Sequence, residues 1–158
     1  TNFKSQTDEK PFINNMIVVG ANTNDADKLK ASFSNYDAKM VDVFAPGDQI
    51  YSTVPDAKYE YLQGTSMASP VVAGAAAVLL AYIPNLSPAQ VIESLVNTAN
   101  KSNVNGLNNL SRSEGVIDVA KAAEYAYSHF YKADSSSKSS KKPVKKIKNH
   151  KGIDKSRL

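Results

Sequence analysis

The chain contains no cysteine, so it holds neither a disulfide framework nor a thiolate metal site. Histidine is almost as scarce: His129 and His150 are the two, and both fall late in the chain. No apolar leader opens the sequence, because residues 1–10 are polar and an initiating Met is missing. The start therefore reads as an internal point of a longer polypeptide. Long apolar runs are limited to residues 67–83. That run is Ala-rich, carries Pro70 and Gly74, and falls short of the ~20 strongly apolar residues of a membrane span. A helix packed inside a soluble protein is the expected reading, and no transmembrane segment is expected.

What charge there is lies unevenly. Residues 132–158 hold ten Lys/Arg against two Asp, whereas residues 1–131 hold nine Lys/Arg against thirteen Asp/Glu. The excess of +4 over the 158 residues thus describes a tail and not a folded surface. Residues 132–158 are rich in Lys and Ser and lack aromatics, a composition that cannot offset the entropy of ordering the chain. The expected organisation is a folded region over 1–131 and a disordered basic tail over 132–158. Without aromatic interleaving after Tyr131, single-stranded nucleic acid is not an expected partner.

Within the first region, strands and helices are punctuated clearly. Residues 16–21, Met-Ile-Val-Val-Gly-Ala, predict a buried strand. Residues 41–45 predict a second, closed by Pro46-Gly47. Two more flank a turn at Pro55-Asp56, over 50–54 and 59–62. A helix then begins around Ser66. The next is announced by Ser87 as N-cap, Pro88 in first position and Gln90 completing a capping box, with Val91, Ile92, Leu95 and Val96 on one face. Residues 115–117 resemble a short strand, and Asp118 caps a last helix carrying Val119, Ala122, Ala123 and Ala126. Strands followed by helices with buried apolar runs make this an α/β layered protein.

The chemistry concentrates in Gly64-Thr65-Ser66-Met67-Ala68-Ser69-Pro70. A serine at a helix N-terminus lies beside unpaired N–H groups and the positive end of the helix dipole. Acyl transfer builds an oxyanion in just such a place, so Ser66 is the candidate nucleophile. Its own N–H and the neighbouring Thr65 are the candidate oxyanion stabilisers. Gly64, Ala68 and Ser69 are small enough for a substrate backbone to approach closely, and Met67 is expected to pack beneath them into the core.

Gly64-Thr65-Ser66-Met67-Ala68-Ser69-Pro70, continued by Val71-Val72-Ala73-Gly74-Ala75, resembles the nucleophile motif of the subtilases, the subtilisin-like serine proteases. Further pieces occur in the family's order. Residues 17–21 resemble its strand ending Val-Gly-Ala, and 31–36 its Phe-Ser-Asn segment. Residues 41–47 resemble Val-Asp-Val-x-Ala-Pro-Gly, and 115–123 its closing Gly-x-Ile-Asn-x-x-x-Ala-Ala. One departure is Asp37, where the family has glycine. Asp tolerates positive φ better than most residues, so a local adjustment is expected there.

The resemblance implies the C-terminal portion of a three-layer α/β/α sandwich with a mainly parallel sheet. It also implies a serine endopeptidase acting on polypeptides through an acyl-enzyme on Ser66, secreted or held in the cell envelope. Calcium sites are common in the family, but no acidic cluster in this sequence maps onto one, so no metal ligand and no cofactor is named.

The family's other catalytic parts do not carry over. The subtilisin order is Asp, His, Ser, yet no histidine precedes Ser66. Asp37 and Asp42 do precede it, but outside the family's Asp-Ser/Thr-Gly context, and read as turn and surface carboxylates. None of Asn14, Asn15 or Asn22 has the context of the family's oxyanion asparagine. His129 reads as a solvated helix residue. The missing partners are expected in an upstream part of the same catalytic domain, and the chain alone is expected to be inactive. Two other classes compete: a non-catalytic interaction module built on a remnant of the fold, and polyanion binding through the tail, with Lys141, Lys142, Lys145, Lys146 and Lys148 at its centre.

Overall fold

The computed structural model describes residues 15–25, 27–101 and 106–131; the basic tail lies outside them. Their order is β1 (Val19–Asn22), β2 (Val43–Pro46), β3 (Ile50–Val54), β4 (Lys58–Leu62), α1 (Thr65–Tyr82), α2 (Pro88–Asn97) and α3 (Val119–Ala126), with a π-helical turn over Tyr127–Tyr131. The predicted elements are all there except that residues 115–117 do not lengthen into a strand. Val116 alone bridges, to Phe44 in parallel and to Asn100 in antiparallel fashion.

Two small sheets result. β1 and β2 pair in parallel, Val19 opposite Val43 and Ala21 opposite Ala45. With the bridge at Val116 they form the parallel layer. β3 and β4 make a separate antiparallel hairpin, Ile50 opposite Leu62 and Thr53 opposite Tyr59. Its residues are exposed or half-exposed throughout, and Tyr51 stacks between Tyr59 and Tyr61 at centroid distances of 5.5 and 4.8 Å.

The parallel layer has a core on each face. On one side Ala21, Val43 and Ala45 meet Ala68, Val72, Ala75 and Leu79 of α1, with α2 and α3 behind. On the other, Phe44 packs with Val41 and Leu107. Gly20 lies against Phe44 so closely that an added Cβ would meet the ring at 2.4 Å. This strand position therefore accepts nothing larger than glycine without moving the aromatic ring.

Asp42 departs from the sequence reading, and Asp37 keeps its reading as a turn carboxylate. Asp42 is not a surface carboxylate: it is fully buried, accepting from the Val18 N–H at 2.7 Å and from Arg112 Nη1 at 2.7 Å. Its cationic partner is seventy residues away in the chain, so no local pattern announces it. Asp37 does not take a positive φ. Instead its carboxylate accepts from the N–H groups of Lys39 and Met40, the turn-forming behaviour open to Asp. Those two bonds hold its pKa below the ordinary carboxylate value.

The two short helices behave as their sequences predict. The Ser87 Oγ accepts from Gln90 N while Gln90 Oε1 accepts from Ser87 N, which closes the capping box. Asp118 caps α3 through Lys121 N. The first helix differs. Only Ala68, Val72, Ala75 and Leu79 of its eighteen residues are buried, although it was expected to lie inside the protein.

Candidate functional site

Ser66 is the second residue of α1, and the backbone before it explains why a helix starts there. Gly64 is the N-cap with φ 149°, a conformation that side chains rarely adopt. Its N–H donates to Gly47 O at 2.7 Å, tying the helix entrance to the turn after β2. A Cβ on Gly47 would lie 2.8 Å from Gly64 O and 2.6 Å from the Ala21 Cβ. Two glycines thus let the ends of β1 and β2 touch the start of α1 backbone to backbone.

The first turn distributes its donors unevenly. Gly64 O accepts from both Met67 N at 3.0 Å and Ala68 N at 3.3 Å. Among the described residues no acceptor takes the N–H groups of Thr65 or Ser66. Gly64 brings no side chain to cap them. Two donors without a described acceptor therefore lie at the positive end of an eighteen-residue helix, beside the exposed Ser66. They border an open groove of about 600 Å³, lined on one side by residues 16–19 and on the other by Thr65, Ser66, Ser69 and Pro70. An anion, or an oxygen gaining negative charge, is what such a terminus stabilises.

The contribution of residues 16–19 to the groove was not visible in the sequence, where they registered only as strand formers. Met67 departs from expectation too. It is half-buried and belongs to neither core, its Sδ lying 3.8 Å from where a Gly64 Cβ would stand. Asp37, Asp42 and His129 lie elsewhere. Asp42 is committed to Arg112 and Val18, and Asp37 to its own turn. His129 is exposed in the π-helical turn, stacked on Tyr125 at 3.9 Å with Nδ1 against Tyr125 O. Among the described residues no three His, Asp or Glu side chains are placed to hold a metal ion, and no calcium ligand is assigned.

Comparison with known proteins agrees with the motif. The model of the subtilase family matches residues 2–116. Subtilisin DY of Bacillus licheniformis is 45% identical over 109 residues, covering 69% of this chain and 37% of that protein. Thermitase of Thermoactinomyces vulgaris is 40% identical over 114 residues, 72% of this chain and 38% of the relative. A protease structure from Pseudoalteromonas arctica superposes with a TM-score of 0.63 at 28% identity, over 72% of this chain and 36% of the other. The prenylagaramide maturation protease PagA gives 0.59 at 28% identity, over 70% and 42%. The chain thus spans well under half the length of the relatives it matches. Its parallel layer, its helix entrance and its matched sequence agree: the chain belongs to the subtilase family, with that family's α/β fold.

Proposed function

We propose that this chain is the nucleophile-bearing part of a serine endopeptidase, with Ser66 the attacking residue. The carrying observation is the exposed Ser66 hydroxyl at the α1 entrance, beside two N–H groups that no described residue accepts. Ser66 Oγ bonds to the scissile carbonyl carbon while a base takes its proton. The carbonyl oxygen becomes an oxyanion facing the Ser66 N–H, with Thr65 beside it. Collapse breaks the C–N bond, and the proton passes to the leaving amine. Water then adds to the acyl-enzyme, giving the carboxylic acid and restoring the hydroxyl.

The base, its orienting carboxylate and an amide donor come from an upstream part of the same catalytic domain. Neither Asp37 nor Asp42 is available for these roles, and His129 is held in the π-helical turn. In subtilisin, loss of the nucleophile or its base costs about 10⁶ in turnover. The 158-residue chain alone is accordingly inactive. Polypeptides are the substrate class, and a secreted or cell-envelope site of action fits relatives that include an "Alkaline serine exoprotease A".

A serine-directed fluorophosphonate tests the reading. The chain alone should label no faster than Ser66→Ala. Combined with the part of subtilisin DY that this chain does not match, it should label at Ser66 and hydrolyse a peptide substrate. Hydrolysis by the chain alone that vanished in Ser66→Ala would overturn the division of labour. Absence of labelling in an assembled complex would overturn the protease role.

A further inference from the structure

The helix that carries Ser66 is entered from an excursion closed upon itself. Gly47 follows β2, Gly64 precedes α1, and the Gly64 N–H joins the two ends by donating to Gly47 O at 2.7 Å. Between them lie the β3–β4 hairpin and its short flanks. The innermost rung, Ile50 opposite Leu62, stands close to both glycines in the chain. Whether Gly64 arrives in position to bond therefore depends on the hairpin being shut. With the rungs undone, the two ends would meet only against the entropy of closing a free loop.

Little besides side-chain stacking keeps the rungs made. No residue of β3 or β4 belongs to either core, and none is fully buried. A two-stranded hairpin is marginal in water by itself. The tip works against it as well: Asp56 at φ 65° and Ala57 at φ 55° both take the left-handed region. Asp tolerates that region, but Ala57 has neither a polar group to bond locally nor the freedom of glycine. Gln49, at φ 53°, repeats the strain at the base.

Opposing these terms is a ladder of tyrosines. Tyr51, Thr53, Tyr59 and Tyr61 share one face, since Tyr51 lies opposite Tyr61 and Thr53 opposite Tyr59. Tyr51 is the middle ring, 5.5 Å from Tyr59 and 4.8 Å from Tyr61 between centroids. One side chain thus makes both cross-strand ring contacts, and such pairs are the unit that stabilises a small sheet. At 59% exposure, Tyr51 supports the hairpin and not the packed layers.

We propose that Tyr51 is a positioning residue for Ser66. It keeps β3 and β4 paired, and the pairing delivers residues 62–64 in register. Gly64 then bonds to Gly47, and α1 starts with Ser66 in its second position. Gly64 supplies no side-chain cap, so its backbone bonds to Gly47, Met67 and Ala68 set where the helix begins. The part played in a reaction rests on the protease reading, whereas the coupling of Tyr51 to Gly64 does not.

Amide hydrogen exchange in the 158-residue chain tests the coupling. Tyr51→Ala should speed exchange about tenfold at the hairpin amides and at Gly64, and leave β1 and α2 unchanged. Tyr51→Phe keeps the stacked ring and should exchange like the parent. Ala57→Gly relieves the tip and should restore protection of Gly64 in the Tyr51→Ala background. Faster exchange in the hairpin with Gly64 unchanged would overturn the coupling. So would a loss of protection shared by α2, the mark of general destabilisation. The reaction is read with the separately produced part of subtilisin DY that this chain does not match. There Tyr51→Ala should lower kcat and fluorophosphonate labelling of Ser66 about tenfold, because the entrance is in register a smaller fraction of the time. KM should stay within about twofold, and Tyr51→Phe should restore the rate. Unchanged kcat beside faster Gly64 exchange would overturn the positioning role. A parent complex that never labels at Ser66 would remove the protease reading, and the exchange comparison would still decide whether Tyr51 governs the helix entrance.

Discussion

Helices α1 and α2 lie side by side in one core and close it to different degrees. α2 buries Val91, Leu95 and Val96, together with Ser94, whose hydroxyl donates to Gln90 O, and turns Glu93 and Asn97 outward. α1 buries Ala68, Val72, Ala75 and Leu79, yet its other faces are as apolar as the buried one. Amphipathic α2 is therefore a finished surface element, and α1 is an interior element with one side still uncovered. The difference separates two questions, what stabilises this chain and what it is shaped to receive.

Substitutions sharpen that division. Leu79→Ala and Leu95→Ala remove fully buried side chains from the two helices. Each should cost about 2–5 kcal/mol in urea unfolding, from lost burial plus the cavity left behind. If Leu79→Ala cost under a quarter of Leu95→Ala, the inner stripe of α1 would not belong to the core. Next in size is the side-chain cap that α2 has and α1 lacks. Ser87→Ala removes the acceptor for Gln90 N, with an expected loss of about 0.5–2 kcal/mol. Smaller again is Val78→Ala on the bare side, within about 0.5 kcal/mol for the chain alone. A loss as large as that of Leu79→Ala would mean the exposed side is already covered in solution.

Acid should produce the mildest effect. The Asp118 carboxyl at the start of α3 is held below its ordinary value of 3.8, chiefly by the Lys121 N–H and opposed by partial burial. A carboxyl depressed in the folded state binds its proton more readily when unfolded. Its contribution is therefore complete above the unfolded pKa and is lost as pH falls through the lower folded one. Unfolding midpoints measured from pH 5 to pH 2 should fall less steeply for Asp118→Asn than for the parent chain. Asp37, depressed by the Lys39 and Met40 N–H groups, adds to the slope in the same sense.

Much of this was legible in the sequence because it is written locally. The capping box at Ser87, the Asp118 cap and the turn at Pro55-Asp56 each depend on neighbours within four residues. The helix entrance at Ser66 was equally clear, since Gly64 and the small residues after it have few other uses together. Long-range pairings were not legible. Asp42 reads as a surface carboxylate until Arg112 and Val18 are brought to it. Residues 16–19 read as a buried strand, but which edge remains open depends on Ala31 and Ser34 folding back onto Ala21. The exposure of α1 was misjudged for a related reason: composition says that a helix is suited to an interior, and says nothing of where the rest of that interior comes from.

The link between Asp42 and Arg112 has a consequence in time. A ribosome adding about 5–20 residues per second completes Val43–Pro46 well before residue 112 exists. With seventy residues between the two partners, the interval is roughly 4–14 s at that rate. During it β2 can align with β1, but the carboxylate beside it lacks the cation that accompanies its burial in the finished fold. The layer on which the nucleophile helix rests thus gains this ion pair late. Shortening the chain before Arg112 would therefore trap a state in which Ser66 has been synthesised and its supporting sheet has not settled.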